Sequence, residues 1–185
     1  MNPHKFPYQR VIVIGATGSG KSTLVEKLEQ HFGLPGMDLD ALHWLPNWVN
    51  RPTPEFRVLV TEVTRTDNWA LAGNYNVVRD IIWSRAQAII WLDYPFWTIF
   101  WQLWNRTWRR WWRRELLWGT NYERITSQFK LWSPEDSIFR WLFETYWRRK
   151  REIPQLLAQP EYSHLQIVHL RSRAETKEWL DGFLI

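Results

Sequence analysis

Residues 15–22 read GATGSGKS, which fits G-x-x-x-x-G-K-[ST]. The match lies between an apolar run, RVIVIG (10–15), and a helical pattern, KSTLVEKLEQHFG (21–33). This residue order suits a loop that curls around phosphate. Backbone N–H groups from Gly15, Ala16, Thr17, Gly18, Ser19 and Gly20 can point inward, because glycine adopts the turn without a Cβ clash. The helix start adds partial positive charge. Lys21 is expected to reach the β- and γ-phosphates and Ser22 to ligate Mg²⁺ through its hydroxyl, with Thr23 beside them. A nucleoside triphosphate with Mg²⁺ is the expected ligand.

Further candidates sit where apolar runs end. MDLDALHW (37–44) carries Asp38 and Asp40 at the close of a short strand. In an open α/β sheet that end faces the ligand crevice. Two carboxylates there can hold Mg²⁺-bound water or take the proton of an acceptor hydroxyl; one of them can equally cap the next helix. GNY (73–75) closes another run. Gly73 would let a ligand approach the backbone, and Asn74 and Tyr75 would orient it; a polar turn is the competing account. WLDYP (91–95) ends in Asp93, either a Walker B-type metal support or a strand-end carboxylate that caps or bonds the phosphate loop.

A third group is helical. Between 105 and 118 the chain reads NRTWRRWWRRELLW. At 100° per residue, Arg106, Arg109, Arg110, Arg113 and Arg114 share one face, and Trp101, Trp104, Trp108, Trp111 and Trp112 share the opposite one. The arginines suit phosphates. The tryptophans are expected to pack in the core or between helices. Stacking on single-stranded nucleic acid and lying on a membrane surface are the other readings. WRRKRE (147–152) adds a second basic cluster, expected to face the first.

These residues must be positioned by a framework, and the chain supplies one. Strand-like runs at 10–15, 34–40, 69–73, 88–93 and 165–170 alternate with helical patterns at 21–33, 53–66, 96–114, 135–158 and 173–184. Such alternation implies an α/β fold with a parallel sheet covered on both faces. No linker or repeat divides the 185 residues, so one domain over 1–185 is expected, with a helical insertion at about 96–150. Net charge is +5 and the pI about 9.7, favouring anionic partners. The absence of cysteine excludes disulfides and thiolate metal sites and fits a cytoplasmic setting. The opening MNPHKFPYQR lacks the apolar core of a signal peptide. The most apolar region, 81–104, is broken by Arg85, Asp93 and Pro95, so no transmembrane segment is expected.

The order of GATGSGKS, LDALHW, W-x-x-x-GNY, LDYP, an Arg-rich helix and a terminal LRSR resembles the adenylate kinase-like phosphate-loop proteins of the topology modulation family. These are related to adenylate, shikimate and gluconate kinases. The resemblance runs from Arg10 to Leu184. It implies a five-stranded parallel sheet with an Arg-rich helical lid, and transfer of the γ-phosphoryl group of ATP to a small acceptor by a monomer. Asp38 and Asp40 match the D-x-D pair that shikimate-type kinases use for Mg²⁺ and the acceptor hydroxyl, which implies Asp38 at the metal and both at the acceptor. Gly73, Asn74 and Tyr75 match the acceptor turn. Asp93 falls on the fourth strand, which weakens its metal reading. Arg106, Arg110 and Arg113 match lid arginines that neutralise the transferred group. Gln102 departs from the pattern, standing where relatives often carry an arginine. Arg171 and Ser172 match the turn that holds adenine, with helix capping the alternative for Ser172. Three functions compete at this stage. One is a small-molecule or nucleotide kinase. Another is an ATP-dependent protein binding nucleic acid or a membrane surface. The third is an ATP binder without transfer chemistry.

Overall fold

The computed structural model describes residues 6–113, 116–117, 121–122 and 138–184. Arg114, expected on the arginine face, lies outside the described residues, as do Trp118 and the expected helix start at 135–137.

Five strands form one parallel sheet: β1 (Arg10–Gly15), β2 (Gly36–Asp38), β5 (Trp69–Ala72), β6 (Ala88–Leu92) and β9 (Gln166–Leu170). Their spatial order is β2-β5-β1-β6-β9, with β1 central. Both faces of the three middle strands are covered, which is why β1, β5 and β6 read as unbroken apolar runs. The side chains of β1 alternate between two cores. Val11 and Val13 meet Leu24 and Leu28 of α1 (Lys21–Phe32) and Leu180 of α7 (Arg173–Asp181). Ile12 and Ile14 meet Phe56 and Val60 of α3 (Thr53–Val63) and Ile82 of α4 (Arg79–Trp83). The architecture is the α/β sheet flanked by helices that the alternation predicts.

Two long helices complete the fold: α5 (Phe96–Arg113) and α6 (Ile138–Leu157). They pack on each other through aromatic rings, including Phe100 on Phe139 and Phe96 on Tyr146. Helix α6 contributes to both cores, through Leu142 and Tyr146 on one side and Ile153 on the other.

Two small hairpins are absent from the sequence expectation. One joins β3 (Trp44–Leu45) to β4 (Val49–Asn50), directly after α2 (Leu39–His43); the other joins β7 (Leu116–Leu117) to β8 (Asn121–Tyr122). Strands of two residues show no readable alternation. The turn of the first places Asn47 and Trp48 at positive φ, 64° and 62°. Asn tolerates that region; Trp there is unusual and is held by its surroundings. The backbone N–H of Trp48 donates to Asn121 Oδ1 at 2.9 Å, and Asn121 Nδ2 donates to the Leu45 carbonyl at 3.1 Å. A single buried amide thus fastens one hairpin to the other.

Burial of the tryptophan stripe is overturned. Trp101 is 57% exposed and Trp112 73%, with Trp104, Trp108 and Trp111 also exposed. The buried line of α5 is Ile99, Leu103 and Thr107, on another side of the helix. Beside that line, Phe96 and Phe100 pack partly buried against the core, and Leu103 lies against the phosphate loop.

Candidate functional site

The β1–α1 turn takes its shape from its glycines. Gly18 and Gly20 have φ of 81° and 94°, a region other residues enter at a cost. A Cβ on Gly18 would lie 2.9 Å from Leu103 Cβ, so α5 closes directly onto the loop. Gly20 caps α1 without any side-chain hydrogen bond, leaving the first helical N–H groups available to an anion. The Ser19 hydroxyl is buried and has no hydrogen-bond partner among the described residues. Lys21 Nζ donates back to the Ala16 carbonyl at 3.0 Å. Its pKa falls from 10.5 to about 8, chiefly through burial, against the opposing pull of Asp40 and Asp38; Arg149 and Arg106 push it further down.

Asp38 does two things the sequence offered as alternatives. Its carboxylate caps α2, accepting from the Asp40 N–H at 3.0 Å, and also accepts from the Ser22 hydroxyl. Burial and the neighbouring Asp40 charge raise its pKa, while the Ser22 bond pulls it back. Ser22 and Asp38 therefore form one oxygen pair beside the loop. A hydroxyl and a carboxylate, completed by phosphate oxygens and waters, suit Mg²⁺, which binds through one or two carboxylates. Among the described residues no group of three or more His, Cys, Asp or Glu could hold a metal unaided. Bare N–H groups, an orphan hydroxyl and this oxygen pair fit a magnesium-bound triphosphate. Thr23 is exposed on the first turn of α1.

Asp40 faces the next strand over. Tyr75, from the turn after β5, donates its hydroxyl to Asp40 Oδ1 at 2.5 Å. Burial and the two aspartates push the Tyr75 pKa far upward, so the phenol stays protonated. Asn74 stands half-buried beside it. Gly73 also has a packing requirement of its own. The space a Cβ would need holds Leu39, whose Cδ1 and Cβ would lie 2.8 and 2.9 Å away. The glycine is required because α2 packs over the end of β5.

Two residues near this wall were not singled out from sequence. His43 lies with its ring 4.6 Å from that of Tyr75, bonds Asn50 at 3.1 Å, and has its pKa lowered by burial. Its place in LDALHW, one helical turn from Asp40, was the available signal. Arg149 of α6 has its pKa lowered chiefly by burial, and its charge bears on Lys21, Asp40 and Tyr75. The basic run 147–152 announced a cluster but not which member points inward. Arg106 from α5 and Arg149 from α6 thus bring cationic charge to one lysine from two helices. Arg110 is partly buried on the same side of α5, whereas Arg113 is exposed near the helix end.

The ends of β6 and β9 carry a separate group. Asp93 accepts from His169 Nε2 at 3.0 Å and pairs with Lys150 at 3.4 Å; the His169 ring stacks on Trp91 at 4.1 Å. These partners, rather than the phosphate loop, occupy the carboxylate. Arg171 is exposed and lines an open cleft of about 730 Å³ with Lys150, His169, Trp97 and Trp147. The Ser172 hydroxyl caps α7, accepting from the Glu175 N–H at 3.1 Å, and Glu175 accepts in return from the Arg171 N–H. This reciprocal arrangement is a capping box, shifted by one residue on the return side.

No family model matches the chain, and no curated protein matches it in sequence. Solved structures match it in fold. Shikimate kinase from Acinetobacter baumannii in complex with shikimate is 14% identical with a TM-score of 0.56, covering 96% of this chain and 92% of its own. A gluconokinase from Sinorhizobium meliloti 1021 is 16% identical at a TM-score of 0.53, covering 97% and 93%. Shikimate kinase from Aquifex aeolicus is 14% identical at a TM-score of 0.53, covering 95% and 93%. The chain has the fold of small-molecule phosphate-loop kinases. No described helix is long and apolar enough to cross a membrane.

Proposed function

We propose that the chain is an ATP- and Mg²⁺-dependent kinase that phosphorylates a hydroxyl of a small molecule. The observation that carries the reading is the convergence of Lys21, the Ser22–Asp38 pair and the Asp40–Tyr75 pair at one sheet edge, under positive charge from two helices. The magnesium-bound nucleotide supplies the phosphoryl group and a divalent charge against its oxygens. Gly15 to Gly20 wrap the phosphates through backbone N–H groups, and Lys21 leaves the Ala16 carbonyl to meet them. Ser22 and Asp38 hold the metal. Asp40 takes the proton from the acceptor hydroxyl, oriented by the Tyr75 phenol; Asn74 and His43 line the acceptor side. Arg106 and Arg149 offset charge on the transferred group, with Arg110 behind them. Helices α5 and α6 are the arms of a lid spanning about 96–150.

The motif order LDALHW, GNY and LRSR supports assignment to the topology modulation branch of these kinases. Arg171 is assigned to the nucleobase, while Ser172 serves the helix cap. Incubation with ATP, Mg²⁺ and a panel of hydroxylated metabolites and nucleotides tests the proposal. Acceptor-dependent ADP release, abolished in Lys21→Ala, is the expected result. ATP binding with no stimulation across the panel would leave a binder without transfer chemistry.

A further inference from the structure

The feature least used by this chemistry is the outer surface of α5. Trp97, Trp101, Trp104, Trp108, Trp111 and Trp112 are all exposed, the first at 67%. On a helix turning 100° per residue they fall within an arc of about 100°. Their stripe extends along about 22 Å of helix. It continues onto α6, where Phe143 and Trp147 are exposed and stand edge-on to and stacked with Phe96. Among the described residues, the contacts of the stripe are with neighbouring rings at its border, such as Trp104 with Phe139. Exposed apolar surface this extensive marks an interaction face.

The residue types narrow the occupant. Indole is amphipathic, with an apolar body and one N–H donor, and it favours the boundary between hydrocarbon and lipid headgroups. Helix α5 contains no Asp or Glu; Arg109 is exposed on one flank of the stripe, and Arg113 is exposed further round, toward the opposite face. A second copy docking by this face would set a carboxylate-free cationic helix against itself. Single-stranded nucleic acid calls for a groove with cations tracking the backbone. From Trp101 to Trp112 the aromatics share the outer face of one helix, with Arg109 at their edge; the cleft of Lys150 and Arg171 is confined to the Trp97 end. That is the pattern of a helix lying in the plane of a bilayer, apolar face down and basic flank at the headgroups. We infer that the tryptophan face of α5 is a docking surface for anionic membranes.

The opposite side of α5 carries Leu103, against Gly18 of the phosphate loop. Docking by the outer face therefore leaves that inner contact in place. Membrane docking and nucleotide binding are separable.

Co-sedimentation of the full chain with phosphatidylcholine vesicles, with and without phosphatidylglycerol, tests the inference. The protein is expected to pellet with the anionic vesicles and to be released by salt. Indole fluorescence is expected to be quenched by lipids brominated near the headgroup. The triple variant Trp101→Ser/Trp108→Ser/Trp112→Ser is expected to lose about tenfold or more in partitioning while still binding an ATP analogue. Arg109→Gln is expected to lose about fivefold, on anionic vesicles alone. Lys21→Ala is expected to bind vesicles as the wild type does, so loss of kinase activity and loss of docking remain distinct. Wild-type protein that stays in the supernatant and is not quenched overturns the inference. So does a folded triple variant that binds as well as wild type. If the three substitutions instead abolish self-association or oligonucleotide capture, with no vesicle binding by the wild type, the face belongs to those partners.

Discussion

The phosphate loop and the Asp40–Tyr75 wall lie along one sheet edge, yet they are built differently. The loop is eight consecutive residues whose shape follows from glycine φ angles and one helix start. The wall draws Asp40 from α2, Tyr75 from the turn after β5 and Arg149 from α6. The loop's chemistry is local, so it survives transfer between proteins and reads directly from sequence. The wall's chemistry exists only once three distant segments are folded together. A kinase can therefore keep its nucleotide end while its acceptor end changes, and each end should respond to its own perturbations.

Asp40→Asn should separate the ends most sharply. Removing the proposed base is expected to lower acceptor-stimulated turnover about a hundredfold while leaving ATP-analogue affinity unchanged, measured by steady-state kinetics and calorimetry. Equal loss of both would merge the two ends into one site. Gly73→Val asks whether the wall is held by packing. The new side chain meets Leu39 and an unfavourable φ of 149°, so stability is expected to fall by about 1–3 kcal/mol in urea unfolding. A variant of native stability that failed only in acceptor KM would favour the ligand-approach reading.

The loop end has a pH signature. Lys21 titrates at about 8, so it is charged below that pH and loses its proton above it. ATP-analogue affinity is expected to fall as pH rises through about 8, by at most about tenfold per unit, and to be flat in Lys21→Met. Folding stability moves the other way. The buried ammonium costs stability below about 8, and that cost fades as pH rises toward 10.5, where the unfolded chain also deprotonates. Smallest of all, Tyr75→Phe removes one hydrogen bond from Asp40 and is expected to reduce kcat about fivefold with the nucleotide KM unchanged. A shift in nucleotide KM would extend the wall's influence to the loop.

The sheet and the loop were legible because buried strands and glycine turns leave local marks. What the sequence left out has a common cause as well. The packing requirement at Gly73 was hidden because sequence shows the missing side chain but not Leu39, which fills the space. The tryptophans of α5 read as core because a sequence shows hydrophobicity and not burial, whereas the residues of α5 buried outright are Ile99, Leu103 and Thr107. Asp38 was posed as cap or site residue, and one carboxylate with two oxygens does both. His43 and Arg149 stood within recognised motifs, but which way each points depends on helix docking that no local pattern encodes.

The Asn121 clasp carries a consequence in populations. At least two hydrogen bonds join the hairpin after α2 to the hairpin after α5. At about 1 kcal/mol net for each bond, undoing the clasp costs about 2 kcal/mol, so only a few per cent of molecules stand unclasped at any moment. A ligand that can enter only the unclasped form would show an apparent Kd weakened by roughly thirtyfold relative to its intrinsic one. A single buried amide then sets how often the two hairpins stand apart.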